Sequence, residues 1–286
     1  MDRRHARPLG VDETATLKEG NDVPTEKTSA MKMYAFHCGG EKTIRAVYDP
    51  FDANCAAAIQ VPYFFYLIRH PEGDVLFDNG AHPALIDHAR SRLGNAADLF
   101  EITMSPGEDV VSRLHTLGIE GEGISHVVQS HLHYDHAGGL EFLTEATVYV
   151  QKEELPFAYW PPVYQKDIYV RQDFDDVKKW KALTGDYDLF NDGRLLIFPT
   201  PGHTPGHQSL LVRLDSQAFI LVGDAAYDKE KMQHRCLPGV LWSPDAIIAS
   251  WERIEDMQRR YDAELILTHD LHWEETIKVG PEECYE

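Results

Sequence analysis

Ser130-His131-Leu132-His133-Tyr134-Asp135-His136-Ala137-Gly138-Gly139 sets three imidazoles and a carboxylate within six consecutive positions. The residues before it, Ile124-Ser125-His126-Val127-Val128-Gln129, are rich in β-branched side chains and read as a strand, so the imidazoles fall where that strand frays into a glycine-closed loop. Four groups with lone pairs held this close suit a divalent cation and would make a poor hydrophobic core. A His-x-His pair alone fits a polar surface loop equally well in a chain with 15 histidines; Asp135-His136 and the partners downstream tip the reading toward a metal.

Outward from this stretch the same arrangement recurs. The strand pattern of 194–198 leads into Pro201-Gly202-His203-Thr204-Pro205-Gly206-His207, that of 218–222 into Gly223-Asp224, and that of 263–267 into Thr268-His269-Asp270. Together with 124–129, these strands are far apart in the chain, yet each runs out into a loop bearing His or Asp, as expected where one edge of a sheet sandwich forms a site. Segments 33–36, 63–68, 75–77, 146–150 and 209–212 also read as strands. The third of them ends in Asp78-Asn79-Gly80, where the aspartate either orients a ligand histidine from behind or makes an Asx turn. Ser105-Pro106-Gly107-Glu108 predicts a helix start with a capping box, Val110, Val111, Leu114 and Leu117 forming the apolar stripe and Gly118 the end. A second helix is predicted from Ser243-Pro244, burying Ile247, Trp251, Ile254 and Tyr261. In the aromatic-rich excursion 156–188, Trp160, Tyr164, Tyr169 and Trp180 are expected to pack the core rather than line a pocket. Residues 1–30, rich in charge, Gly, Pro and Thr, are expected to form a tail or an arm on a neighbouring subunit, leaving 31–286 as one domain.

Composition narrows the partners. A chain of 286 residues with 43% hydrophobic content can bury a substantial core. Its 27 Lys plus Arg against 47 Asp plus Glu give a formal charge of −20, which disfavours nucleic acid and anionic membrane and suits a neutral or cationic small molecule. The longest apolar run, 56–68, is interrupted by Gln60 and Pro62 and is too short to span a bilayer. No apolar segment follows Arg3 and Arg4, so no secretory signal is expected and the cytoplasm is the expected compartment. Cys38, Cys55, Cys236 and Cys284 form no Cys-x-x-Cys pair, which argues against a thiolate zinc site or a disulfide scaffold.

His131-x-His133-x-Asp135-His136, then His203, Asp224 and His269 in that order, resemble the metallo-β-lactamase superfamily, and the likeness covers nearly all of 31–286. The resemblance implies an α/β fold of the αββα sandwich type with a binuclear metal site. One ion would sit on His131, His133 and His203, a second on Asp135, His136 and His269, with Asp224 bridging both. Flavodiiron members usually carry Glu where His133 stands, and a neutral imidazole there favours a hydrolytic, zinc-type centre. Two divalent ions per chain are therefore expected, zinc first, with cobalt, manganese or iron also compatible with these ligands. Within the superfamily, the stretch around His131, the run Pro201-Gly202-His203-Thr204-Pro205-Gly206-His207-Gln208-Ser209, and Asp224-Ala225-Ala226-Tyr227 are similar to the N-acyl homoserine lactone lactonases, quorum-quenching hydrolases. That likeness implies an acyl lactone substrate, a homodimer, and a contact from Tyr227 to the substrate carbonyl or ester oxygen. The N-terminal tail is longer than in the shorter members and 156–188 varies among them, so acyl-chain preference and assembly do not carry over.

Opening a lactone requires a nucleophile at neutral pH, a polarised carbonyl and stabilisation of the departing alkoxide. The expected mechanism is attack by a hydroxide bridging the two ions, with Tyr227 polarising the carbonyl oxygen and Asp135 carrying a proton to the alkoxide. Tyr134 is expected in the pocket wall, His207 to tighten its turn or orient a ligand, and Asp270 to form a turn. One alternative is a glyoxalase II-like thioester hydrolase, for which basic residues to meet the glutathione carboxylates are not found. Others are a further lactone or ester hydrolase, a β-lactamase or a phosphodiesterase and, from a different class, a metal-binding protein without turnover.

Overall fold

Residues 58–70 are apolar at almost every position because the strand they form is covered on both faces. Tyr63, Phe65 and Leu67 enter one core, while Phe64, Tyr66 and Ile68 enter another. In a computed structural model, which describes residues 30–286, this strand belongs to a seven-stranded sheet. Its strands are β1 (Lys32–Ile44), β2 (Ala58–His70), β3 (Gly73–Phe77), β4 (Glu101–Ile102), β5 (His126–Val128), β6 (Thr147–Gln151) and β7 (Trp180–Leu183), in the spatial order β4-β1-β2-β3-β5-β6-β7. The second sheet has five: β8 (Tyr187–Asp188), β9 (Leu195–Pro199), β10 (Gln208–Arg213), β11 (Ala218–Leu221) and β12 (Ala263–Ile266), in the order β12-β11-β10-β9-β8. The expected tail, apart from Ala30, lies outside the described residues.

Three apolar cores separate four layers. Phe64, Tyr66, Phe77, Ile197, Leu210 and Leu221 fill the space between the sheets. Phe65, Leu67, Val127, Leu85 and Leu114 join the first sheet to its helices, and Leu211, Ile220, Ile247, Trp251 and Ile254 join the second sheet to helix Pro244–Tyr261. This is the αββα sandwich. Ser243 caps the last helix by accepting from the Ala246 N–H, with Pro244 at its first turn, as the sequence predicts, although Tyr261 is only partly buried.

Three local expectations are corrected. The helix expected from Ser105 begins at Val110, capped by Asp109, because Gly107 turns left-handed at φ 92° and breaks the first turn. The Glu108 carboxylate still accepts from the Ser105 N–H at 2.7 Å, so the box closes on a turn rather than on a helix. The loop after His133 is a single helical turn, Tyr134–Ala137. Of the four aromatic residues expected to pack the core in the excursion, only Tyr169 is buried; Trp160 and Tyr164 are exposed, and Trp180 is half-buried.

Strand direction gathers the site. β3 runs parallel to β5, and β11 parallel to β12, while β9 and β11 are each antiparallel to β10 and so run alike. Asp78, His131, His203, Asp224 and His269 follow the C-terminal ends of β3, β5, β9, β11 and β12. No helix among the described residues is long and apolar enough to cross a membrane.

Candidate metal centre

His203 arrives on the turn at Gly202, whose φ of +147° and approach to Ile247, 2.5 Å from where a Cβ would stand, admit only glycine. There His203 Nε2 lies 3.0 Å from His133 Nδ1, which lies 2.9 Å from His131 Nε2. Asp135 Oδ2, at the neighbouring cluster, is 3.5 Å from His136 Nε2 and 3.4 Å from His269 Nε2. Asp224 stands between the two groups. Its Oδ1 is 3.1 and 3.2 Å from the Nε2 atoms of His136 and His269, and its Oδ2 is 3.5 Å from His203 Nε2. All seven residues singled out as ligands are thus brought together, and all but Asp135 are buried.

The second nitrogen of each ring fixes what the first can do. His203 Nδ1 donates to the Val240 carbonyl at 3.1 Å and His269 Nδ1 to the Pro62 carbonyl at 2.7 Å, since a carbonyl can only accept. His136 Nδ1 donates to Asp78 Oδ2 at 2.8 Å. Ser130 Oγ donates to the same oxygen at 2.8 Å and can therefore accept from His131 Nδ1 at 3.0 Å. In the neutral forms of these four rings Nε2 then carries its lone pair into the site, whereas His133 faces it with Nδ1.

Electrostatics divides the two clusters. Burial holds His131 and His133 well below the ordinary histidine range, and neighbouring imidazoles push in the same direction. Burial likewise lowers His203. At the other cluster burial opposes protonation, but the carboxylates win: Asp224, Asp135 and Asp78 raise His136 well above its ordinary value, and Asp224 and Asp135 bring His269 to about 10. Asp224 is held well below the usual carboxylate range by His136 and His269, against its burial. The second cluster therefore favours positive charge between its imidazoles and carboxylates. Converging imidazole nitrogens without a donor between them, beside two carboxylates, fit divalent ions that accept nitrogen and oxygen ligands.

The remaining candidates fall into place around this set. The Tyr227 hydroxyl donates to Asp224 Oδ2 at 3.2 Å, and its ring packs on Tyr48 at 4.3 Å. Tyr134 lines the same cleft, but its hydroxyl is engaged by Glu41 and, at 3.0 Å, by Tyr63. His207 sits behind the ligands: burial lowers it to about 3, and its neutral Nε2 accepts from the Asp224 N–H at 3.0 Å. Asp270 accepts from the His272 N–H at 2.8 Å and forms a turn. Of the two readings of Asp78, the orienting one is correct.

Two buried carboxylates escaped the sequence reading. Glu154 accepts from the Leu132 N–H at 3.0 Å, the Tyr169 hydroxyl at 2.9 Å and the Thr204 hydroxyl at 2.6 Å, tying the loop of His131 and His133 to that of His203. Glu41, pushed up to about 7 by burial and by Asp135, lines the cleft. Nothing in the run Lys152-Glu153-Glu154, or in Glu41-Lys42, distinguishes either from a surface glutamate.

Fold and donor set together define a class, and residues 59–269 match it: the chain belongs to the metallo-beta-lactamase superfamily. Relatives there include N-acyl homoserine lactonases. AttM of Rhizobium radiobacter is 34% identical over 232 residues, which cover 79% of this chain and 88% of the relative. AiiA of Bacillus thuringiensis subsp. kurstaki is 28% identical over 244 residues, covering 83% and 94%. A solved N-acyl homoserine lactone hydrolase with the product N-hexanoyl-L-homoserine at its catalytic metal centre matches with a TM-score of 0.80 at 24% identity, covering 90% of this chain and 99% of that one.

Proposed function

We propose that the chain is a metal-dependent hydrolase that opens the lactone ring of N-acyl homoserine lactones, the quorum-quenching reaction. The observation that carries this reading is Asp224, whose two oxygens face different histidine clusters while the Tyr227 hydroxyl stands 3.2 Å from one of them. His131, His133 and His203 would hold one divalent ion, Asp135, His136 and His269 a second, and Asp224 both; zinc suits this mixture of imidazole and carboxylate. Such ions supply a Lewis acid for the lactone carbonyl and a water that ionises near neutral pH.

The chain's own residues do the rest. Burial, and then Asp224 and Asp135, hold Tyr227 well above its ordinary pKa, so it remains a phenol that can donate to the carbonyl oxygen as charge develops there. Asp135, the one member of the ligand set that is not buried, carries a proton to the ring oxygen as the C–O bond breaks. Val47, Phe100, Ile168 and Val240 exclude water from the cleft. The last three also line a groove of about 350 Å³ with Leu99 and Leu241, which receives the acyl chain. A neutral lactone enters against no charge, whereas its carboxylate product leaves a chain of formal charge −20. A homodimer belongs to the same reading, supported by Trp160, 79% exposed on the excursion.

The test is pH-stat titration of acid release from N-acyl homoserine lactones, a simple γ-lactone, an acyl-glutathione and a penicillin, each with and without chelator. Chelator-sensitive release from the lactones is expected. Preferential cleavage of the acyl-glutathione would replace the reading with a thioester hydrolase, against which stands a cleft lined by no Lys or Arg among the described residues.

A further inference from the structure

We infer that Glu41 accepts the hydrogen bond of the substrate's amide N–H, and so is the residue by which the cleft distinguishes an N-acyl homoserine lactone from a lactone without an amide. The inference rests on the lactonase reading above and assigns a specificity residue within it.

A bulge aims Glu41 at the cleft. The register of β1 against β2 shifts between His37 and Gly40, with Gly39 at φ +88°. A Cβ on Gly40 would stand 2.2 Å from the Val61 carbonyl oxygen, so the strands close here only around glycine. Beyond the bulge Glu41 and Thr43 turn inward, while Lys42 and Ile44 turn out. The strand therefore delivers a carboxylate where an apolar residue would have been the stable choice.

That carboxylate is half satisfied. Glu41 is 4% exposed, and both of its hydrogen bonds fall on Oε2, from the Tyr63 hydroxyl at 2.5 Å and from the Tyr134 hydroxyl. Oε1 has no protein partner among the described residues. Two phenols donating to one oxygen lock the group in place and partly offset the rise to about 7 that burial and Asp135 impose, so Oε1 is a bare acceptor in the ionised form that gains above pH 7. The other polar groups of the cleft are committed, His133, His203, Asp135, Asp224 and His269 to the metal centre and Tyr227 to the carbonyl oxygen, except the Tyr48 hydroxyl. Val47, Phe100, Ile168 and Val240 are apolar. An amide N–H one bond from the lactone ring loses its water on entering and needs an acceptor. Of the two groups left, the carboxylate oxygen Glu41 Oε1 is a stronger acceptor than the Tyr48 phenol.

The experiment changes the substrate and the enzyme together. Glu41→Gln preserves size and keeps an oxygen for the two tyrosines, but presents an NH₂ where Oε1 was, setting donor against donor. The kcat/KM of an N-acyl homoserine lactone is compared with that of its carba analogue, in which CH₂ replaces the amide N–H and the acyl carbonyl is kept. Wild-type enzyme is expected to favour the amide by about tenfold to a hundredfold, the range of one charge-assisted hydrogen bond, and Glu41→Gln to lose that preference. An unchanged amide-to-carba ratio in the metal-replete variant overturns the inference, whatever happens to the absolute rates. So does a wild-type enzyme with no preference, which needs no variant to fold. If wild-type enzyme opens neither lactone, the lactonase reading has failed instead.

Discussion

Replacing Asp78 with asparagine alters one atom and one charge at a fully buried residue behind the proposed metal ligands. Asp78 Oδ2 accepts from His136 Nδ1 and from the Ser130 hydroxyl, each at 2.8 Å, while Oδ1 accepts from the Ser130 N–H at 2.7 Å. An amide has one acceptor oxygen, so in either orientation its NH₂ meets one of these donors. If it faces His136, the imidazole proton is driven to Nε2, the atom that must present a lone pair to the ion. The loss is one charge-assisted hydrogen bond, about 1.5–3 kcal/mol, or roughly ten- to a hundredfold in affinity. Backbone strain does not confuse the result, because Asp78 sits at φ 58°, a left-handed conformation that asparagine also tolerates. Chelator-competition titration of the metal-stripped protein should show one of the two ions, that expected on Asp135, His136 and His269, weakened by that factor, with activity partly restored at saturating metal. Wild-type affinity for both ions in Asp78→Asn would refute the account of how these ligands are held.

Tyr227→Phe should lower kcat about a hundredfold or less with metal content unchanged, as expected for loss of one oxyanion donor worth about 3 kcal/mol; an unaltered kcat removes Tyr227 from the chemistry. The acyl chain should gain about 0.8 kcal/mol per buried methylene, so KM should fall roughly fourfold per CH₂ until the groove is full, and Ile168→Asp should flatten that dependence. His207 falls from an ordinary 6.5 to about 3 in the fold. Between those values the unfolded chain binds a proton that the folded chain refuses, so this stability is intact above pH 6.5 and is lost as pH falls toward 3, on the order of 5 kcal/mol in all. Urea midpoints of the metal-stripped protein should therefore drop more steeply from about pH 7 to about pH 5 in wild type than in His207→Gln; equal slopes would contradict it.

What the sequence discloses follows from where the chemistry leaves room for substitution. A strand buried on both faces must be apolar throughout, which made β2 and β11 legible, and a metal accepts few residue types, which exposed His131, His133, His136, His203, Asp224 and His269 at strand ends. Asp78 stayed ambiguous because an orienting carboxylate and an Asx turn use the same residue after a strand. Glu41 and Glu154 were invisible because their roles depend on partners 22 to 93 positions away for Glu41 and 15 to 50 away for Glu154, and on a bulge that two glycines permit but do not announce. The false helix start at Ser105 shows a capping pattern satisfied by a turn, and exposed Trp160 shows that aromatic character alone does not decide burial.

Everything proposed for this chain depends on paired divalent ions acting on a lactone. The most direct test is acid release from an N-acyl homoserine lactone as zinc is titrated into metal-stripped protein. The account predicts no release above background without metal and a rise that reaches its plateau at about two equivalents per chain, one for each ligand cluster. Full activity in the stripped protein, or a plateau at a single equivalent with the second cluster still open to metal, would contradict it.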